Sequence, residues 1–323
     1  MNSDSSPSAI EPDPSLQPEW QRQVEAWRGL LAQCARKPSR KRVHALRRLT
    51  LRLRVAMDHG LQEQARDSAA ARAVKRWKKE GKNLRRALEP VRDADVYMAR
   101  LDGLRNPIGG ALAAKPEVSQ HCLREIDKLA ARLEAERQSA AEELVDLLAA
   151  HSKRLNRRSQ EMEESLASAM PAENRSTAQA ALIIFAELTS AFPALDGANL
   201  HAYRKRLKHA LYLAEISAAT DPLARRLAAA FRKIHLAAGE WHDWQTLAQK
   251  TRRVLPSHGK QDGLAPALEA LAQGALKRAV GLCRHTAVRF LTSAGEIRPL
   301  EKLESVRTEP ASARRPAPTA PTH

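Results

Sequence analysis

The sequence predicts an all-α protein made of two antiparallel helical bundles related by a pseudo-twofold axis. Three observations carry that prediction. Aromatic residues are only 4% of the 323 residues and there are 13 glycines, so strand formers and turn residues are scarce. Apolar residues recur at steps of three and four along most of the chain, with no strand-like alternation in competition. Two blocks of residues also recur, in the same order, in the two halves. The 43% hydrophobic fraction excludes wholesale disorder, because enough apolar surface exists to offset chain entropy.

Residues 1–18 carry four prolines and acidic charge only, and read as a disordered leader. Trp27, Leu30 and Leu31 lie on a first helix that stops near Pro38. Ser39 is placed to cap the second, which carries Val43, Leu46, Leu49, Leu53 and Met57. A third helical stretch starts near Ala65 and allows a break at Pro90 before Val96 and Leu101. Asn106–Pro116 is the clearest loop of the first half. From Val118 to Ala169 the helical pattern is unbroken, which suggests one or two long antiparallel helices. Further helices fit about 176–191, 200–219, 222–254 and 265–292. The helical domain therefore spans 19–295, with halves at about 19–170 and 171–295, and 296–323 reads as a disordered Pro/Ala-rich tail.

The repeat is read from two alignments. VHALRRLTLRLR at 43–54 matches LHAYRKRLKHALYL at 200–213: His44 faces His201, Arg47 faces Arg204, Arg48 faces Lys205 and Arg52 faces His209. Further along, LRRALEPVRDADV at 84–96 matches IHLAAGEWHDWQT at 234–246, so that Arg92-Asp93 faces His242-Asp243. A duplicated bundle explains both.

Charge points to the partner. Lys and Arg number 54 against 37 Asp and Glu, a formal net charge of +17. Positions i, i+3, i+4, i+7 and i+8 share a helix face. One such face holds His44, Arg47, Arg48 and Arg52, with Arg54 beside it; its counterpart holds His201, Arg204, Lys205, Lys208 and His209. Arg36–Arg54 carries nine basic residues and no acid, and Arg72–Arg86 carries eight with Glu80 alone in opposition. These tracts add Arg40, Lys41, Lys75, Lys78, Lys79, Lys82, Arg85 and Arg86 as secondary polyanion-binding candidates. Like charges at i, i+4 repel, so a stripe of one sign makes sense where a polyanion supplies the missing charge. His44 and His201 begin the two stripes, and beside a polyanion they would add affinity as pH falls through about 6–7. Asp93, Asp95 and Asp243 read first as caps or first-turn acids after Pro90 or Gly239, and Asp93 and Asp243 read second as partners that orient stripe arginines. Trp77, Trp241 and Trp244 read as core anchors.

These paired blocks resemble the CHAD family, the conserved-histidine α-helical domain, over roughly residues 20–295. The resemblance implies two four-helix bundles with pseudo-twofold symmetry and a basic surface that binds inorganic polyphosphate, with location on polyphosphate granules. It places His44 and His201 as the family histidines. Arg47, Arg48, Arg52 and Arg54 fall on the first basic helix, and Arg204, Lys205 and Lys208 on the second. Leu51, Glu89, His209 and Leu211 depart from the family pattern and weaken the second stripe at neutral pH. The ExExK strand motif of the triphosphate-tunnel domains that precede some members is absent, EMEES at 161–165 being its nearest string.

The expectation is a non-enzymatic polyphosphate-binding protein without cofactor or metal. A nucleic-acid-associated protein is the second choice, since electrostatics alone does not separate phosphate polymers. Few aromatics lie near the basic runs to stack bases, and no Walker loop, HExxH or nucleophile constellation marks an enzyme. Three widely spaced cysteines and no signal-peptide pattern suggest a cytoplasmic protein. No apolar run is long enough to span a membrane.

Overall fold

The computed structural model describes residues 19–61, 68–105, 120–167, 176–255 and 263–291. Within them lie nine helices and no strand. They are α1 (Glu19–Arg36), α2 (Arg40–Gly60), α3 (Ala69–Ala87), α4 (Glu89–Arg105), α5 (Gln120–Ala167), α6 (Thr177–Ala191), α7 (Leu200–Ile216), α8 (Pro222–Val254) and α9 (Leu264–Leu291). The all-α prediction holds. The expected leader, the expected tail and the loop at 106–116 lie outside the described residues.

Local chemistry sets most boundaries. Pro38 ends the α1 segment, and Ser39 sits at the N-cap of α2 in extended conformation without a side-chain capping bond. Asp221 caps α8 by accepting from the Leu223 amide at 2.7 Å, with Pro222 as the first helical residue. Leu88 alone separates α3 from α4: Pro90 has no N–H for the Arg86 carbonyl, so the chain bends there and resumes. At the position equivalent to Glu89, α8 has Gly239 and continues without a break. Asp243 is therefore mid-helix, and its reading as a cap falls.

The 48 residues of α5 form one helix rather than two. No Gly or Pro interrupts them. The helix serves two apolar cores in succession. Its Ala141, Leu144, Leu148, Leu155, Met162 and Leu166 pack with α1–α3 and the start of α4. Its Ile126, Leu129 and Leu133 join α6–α9 together with Leu101 and Leu104 of α4. The Glu125 carboxylate of α5 also accepts the buried Leu264 amide at the start of α9, at 2.7 Å. Helix order repeats along the chain, α1, α2, α3 with α4, and α5 against α6, α7, α8 and α9, but the apolar packing does not divide near residue 170.

In the first core Trp27 meets Trp77 edge-on at 5.9 Å and donates its indole N–H to Thr50 at 2.8 Å. Thr50 takes the buried position in place of Leu49, since its hydroxyl is satisfied by the indole and by the Leu46 carbonyl. A Cβ at Gly81 would lie 3.2 Å from the Thr50 methyl, so the glycine permits α2 and α3 to approach closely there. In the second core Phe185 stacks on Phe231 at 4.8 Å. Trp77, Trp241 and Trp244 are all buried, as anchors should be. Cys34, Cys122 and Cys283 are all buried. Among the described residues no helix is long and apolar enough to cross a membrane.

One buried ion pair locks the start of the site. Asp95, 3% exposed, accepts from Arg137 Nε at 2.7 Å, and Arg137 also donates to the Pro38 carbonyl, tying α5 to α4 and to the α1–α2 turn. Arg137→Met is expected to cost about 3–5 kcal/mol because it strands a buried carboxylate. Urea denaturation measures the loss. Adding Asp95→Asn to that variant should restore much of it, and a double variant as unstable as the single one contradicts the pairing.

Candidate polyanion site

The two basic stripes do not face outward on separate surfaces. Helices α2 and α7 pack together, with α4 against α8, and the first turns of each stripe converge at the junction of the two halves. Arg47 of α2, Arg85 of α3, Arg92 of α4 and Arg204 and Lys208 of α7 act on one another there as like charges, and all five are half-buried. His44, His201, His235 and His242 surround them.

The acids present bind the frame of the cluster. Arg47 donates to the Arg85 carbonyl at 2.8 Å and to Glu89 at 3.0 Å, across the α3–α4 bend. Asp93 accepts from Arg92 at 2.6 Å. Asp243, 5% exposed, lies 3.2 Å from Arg100 and 4.0 Å from Arg92. Burial alone would push Arg92 down, but the bond to Asp93 and the charges of Asp93 and Asp243 outweigh it and hold the guanidinium charged. Burial likewise raises Asp243, while Arg92, Arg100 and Arg204 oppose. The orienting role read for Asp93 and Asp243 thus falls on Arg92 and Arg100.

Positive charge is left over. Burial, then Arg47, Arg204, Arg92 and Arg85, push the Lys208 ammonium down to about 7. Burial and the charges of Lys208, Arg204 and Arg92 push His235 down to about 3. Burial, Arg204, His201 and Arg92 push His242 down to about 4. His44 and His201 are also lowered, by burial first and by neighbouring cations second. All four imidazoles are neutral at pH 7. Their titration lies lower than the sequence suggests, because burial and like charge act together. Three buried nitrogens of this cluster, His44 Nε2, Arg204 Nη1 and His235 Nδ1, have no hydrogen-bond partner among the described residues. Of the three, Arg204 Nη1 is a donor by its chemistry, while a neutral imidazole nitrogen donates or accepts according to tautomer.

The remaining candidates separate. Arg52 is held by Glu215 of α7 at 2.7 Å, and Glu215 also accepts from Arg232 of α8 at 2.6 Å, so Arg52 bridges the halves. Arg54 and Lys78 share Asp58, with His209 and His59 beside them. His209 therefore belongs to a compensated cluster at the end of α2 rather than to the Arg204–Lys208 group. Arg48 and Lys205 are exposed at the edge and have no carboxylate partner among the described residues, like Arg40 and Lys41 at the start of α2. Lys75, Lys79, Lys82 and Arg86 point away from the junction on the outer face of α3. A cavity of about 490 Å³ between α4, α5 and α8 lies next to the site, with Asp93 in its wall; its mouth has Arg132 and Lys250 already bound to Glu136.

Arg92, His235 and His242 are the members that stripe geometry missed. Arg92 and His242 occupy equivalent places in the second repeated block, and that equivalence was the available signal. The His201 and His242 rings lie 5.0 Å apart, tilted by 42°, which brings the two blocks of the second half together.

The sequence matches the CHAD domain family over residues 18–252. The match ends before α9, short of the 295 expected, although α9 packs in the same core as α8. No curated protein and no solved structure matches the chain.

Proposed function

The chain belongs to the CHAD family, and from that premise we propose that it binds inorganic polyphosphate, without turning it over, at the junction of α2, α3, α4, α7 and α8. The pseudo-twofold relation of the halves and a place on cytoplasmic polyphosphate granules belong to the same proposal. The observation that carries it is the convergence of Arg47, Arg85, Arg92, Arg204 and Lys208, with Arg204 Nη1 a buried donor that no acceptor among the described residues satisfies. A flexible phosphate chain supplies closely spaced oxyanions with no bases to accommodate. The narrow, half-buried position of the five cations suits such a chain better than a duplex. Asp93 and Asp243 are held by arginines, which supports a positioning use for these carboxylates.

The test compares long-chain polyphosphate with single-stranded and duplex DNA across a salt series. Five neutralised phosphates give a log–log slope near −3.5 on the single-strand coefficient. Arg204→Gln, which removes a guanidinium that no carboxylate among the described residues bonds, is expected to weaken polyphosphate binding about tenfold and to reduce the slope by about one. DNA bound as tightly as polyphosphate, or an unaltered Arg204→Gln protein, overturns the proposal.

A further inference from the structure

Three sides of α3 have assignments in the fold. Ala70, Val74, Trp77, Gly81 and Leu84 are buried. Arg76 and Glu80 pair with Glu161 and Arg154 of α5. Lys78 and Arg85 turn toward α2 and the cationic junction.

The fourth side carries Lys75, Lys79, Lys82 and Arg86. All four are exposed, and none has a carboxylate partner among the described residues. At 100° per residue they fall within about 60° of one another, directly opposite the buried side, and they extend over about 16 Å of helix. The pairs 75–79, 79–82 and 82–86 are spaced i, i+3 or i+4, so each repels its neighbours. Exposed faces elsewhere in the chain relieve such strain with acids: α5 pairs Arg132 with Glu136 and Arg157 with Glu161 at the same spacing. Among the described residues, the outer side of α3 shows none of that relief from Lys75 to Arg86. Its direction also separates it from the junction, so the junction cations and this ridge present two surfaces.

We propose that the outer ridge of α3 is a second phosphate-chain surface, which makes the protein a bridge between two polyphosphate strands. The inference rests on the function proposed above. The junction, with its half-buried cations and converging helices, holds one strand closely. The ridge, open and shallow, takes a second through charge alone, and its contribution is weaker and more sensitive to salt. Bridging also raises the local concentration of chain ends near each bound protein, so long polymer condenses with the protein where short polymer only binds.

The experiment is a two-strand capture with the full chain. Polyphosphate fixed to a surface is loaded with protein, washed, and exposed to fluorescent long-chain polyphosphate at low salt. The wild type is expected to capture labelled strand. The variant with Lys75, Lys79, Lys82 and Arg86 all replaced by Gln is expected to load equally on the fixed strand and to lose at least about tenfold of the second capture; circular dichroism checks that it remains helical. Equal second capture by this variant, or none by a loaded wild type, overturns the ridge assignment and leaves the junction reading intact. Failure of the wild type to load on the fixed strand instead removes the junction reading and the bridge with it. Capture of labelled duplex DNA in preference to polyphosphate also overturns the ridge assignment, by giving that surface a different partner.

Discussion

Lys208→Met is expected to raise the thermal unfolding midpoint by about 5–10 °C at pH 7 and to weaken polyphosphate binding at least about 100-fold. Both effects have one cause. Lys208 is pushed from an ordinary lysine value down to about 7 by burial and by Arg47, Arg204, Arg92 and Arg85. The unfolded chain therefore binds this proton more tightly than the folded chain does. Stability from this group rises with pH between about 7 and 10.5, and at pH 7 or below the folded state bears the full cost, on the order of 3–5 kcal/mol. Methionine keeps the aliphatic length that lies toward Tyr212, where Lys208 Nζ is 5.6 Å from the ring centroid, and it removes the charge. Differential scanning calorimetry at pH 7 and pH 10.5 separates the two causes: the gain should shrink toward zero at the higher pH. A variant less stable than wild type at pH 7 shows instead that the ammonium is satisfied in the free protein, and the strain account fails.

This trade between stability and binding explains a feature that local rules leave odd. A fold with surplus guanidinium and ammonium groups at its own interface carries repulsion that acids were available to cancel. Glu89, Asp93 and Asp243 cancel part of it and stop short. The remainder is the affinity for an anion, held in the free protein as reduced stability.

Helix positions were legible because they rest on local periodicity and punctuation. Pro38, Pro90 and Asp221-Pro222 are breaks of known chemistry, and 222–254 was bounded correctly at both ends. The single α5 was not legible as such, because periodicity shows an apolar face without showing how many cores that face serves. The site was legible by residue type and only partly by membership. Helical spacing placed Arg47 on one stripe and Arg204 with Lys208 on the other, without showing that the two stripes meet. Spacing on one helix does not reveal which acid from another helix will neutralise a given arginine. Arg52 looked equivalent to Arg47 in sequence, yet Glu215 from α7 converts it into a tie between the halves. His209 was drawn into the stripe by register, and Asp58 on α2 gives it a different neighbourhood. Arg92 was visible in the repeat and invisible in the stripes, since its side chain reaches the cluster from α4.

The affinity for long-chain polyphosphate is expected to tighten by about 30- to 100-fold as pH falls from 9 to 7. The internal phosphates of a long chain keep their charge across this range, so the titrating groups belong to the protein. Lys208 is the principal one. In the free protein it titrates at about 7; a bound phosphate strand offsets the charges of Arg47 on α2, Arg85 on α3, Arg92 on α4 and Arg204 on α7, and returns it toward the ordinary lysine value. Between those two values the complex holds a proton that the free protein lacks. Each unit of pH then changes affinity by up to tenfold, tighter toward acid, and the change from this group ends near pH 7. At pH 8 the free ammonium is about one-tenth protonated, so binding takes up about 0.9 proton, measurable by calorimetry in two buffers of different ionisation enthalpy. His44 and His201 are lowered from their ordinary value, and His242 and His235 titrate near 4 and 3. They extend the tightening below pH 7 with a shallower slope, because a bound strand must first lift each of them out of its depressed range. Lys208→Arg keeps a cation at the site and removes its titration, so its binding curve between pH 7 and 9 should be flat. If wild type and Lys208→Arg share one pH profile, the proton is taken up elsewhere and the assignment to Lys208 is wrong.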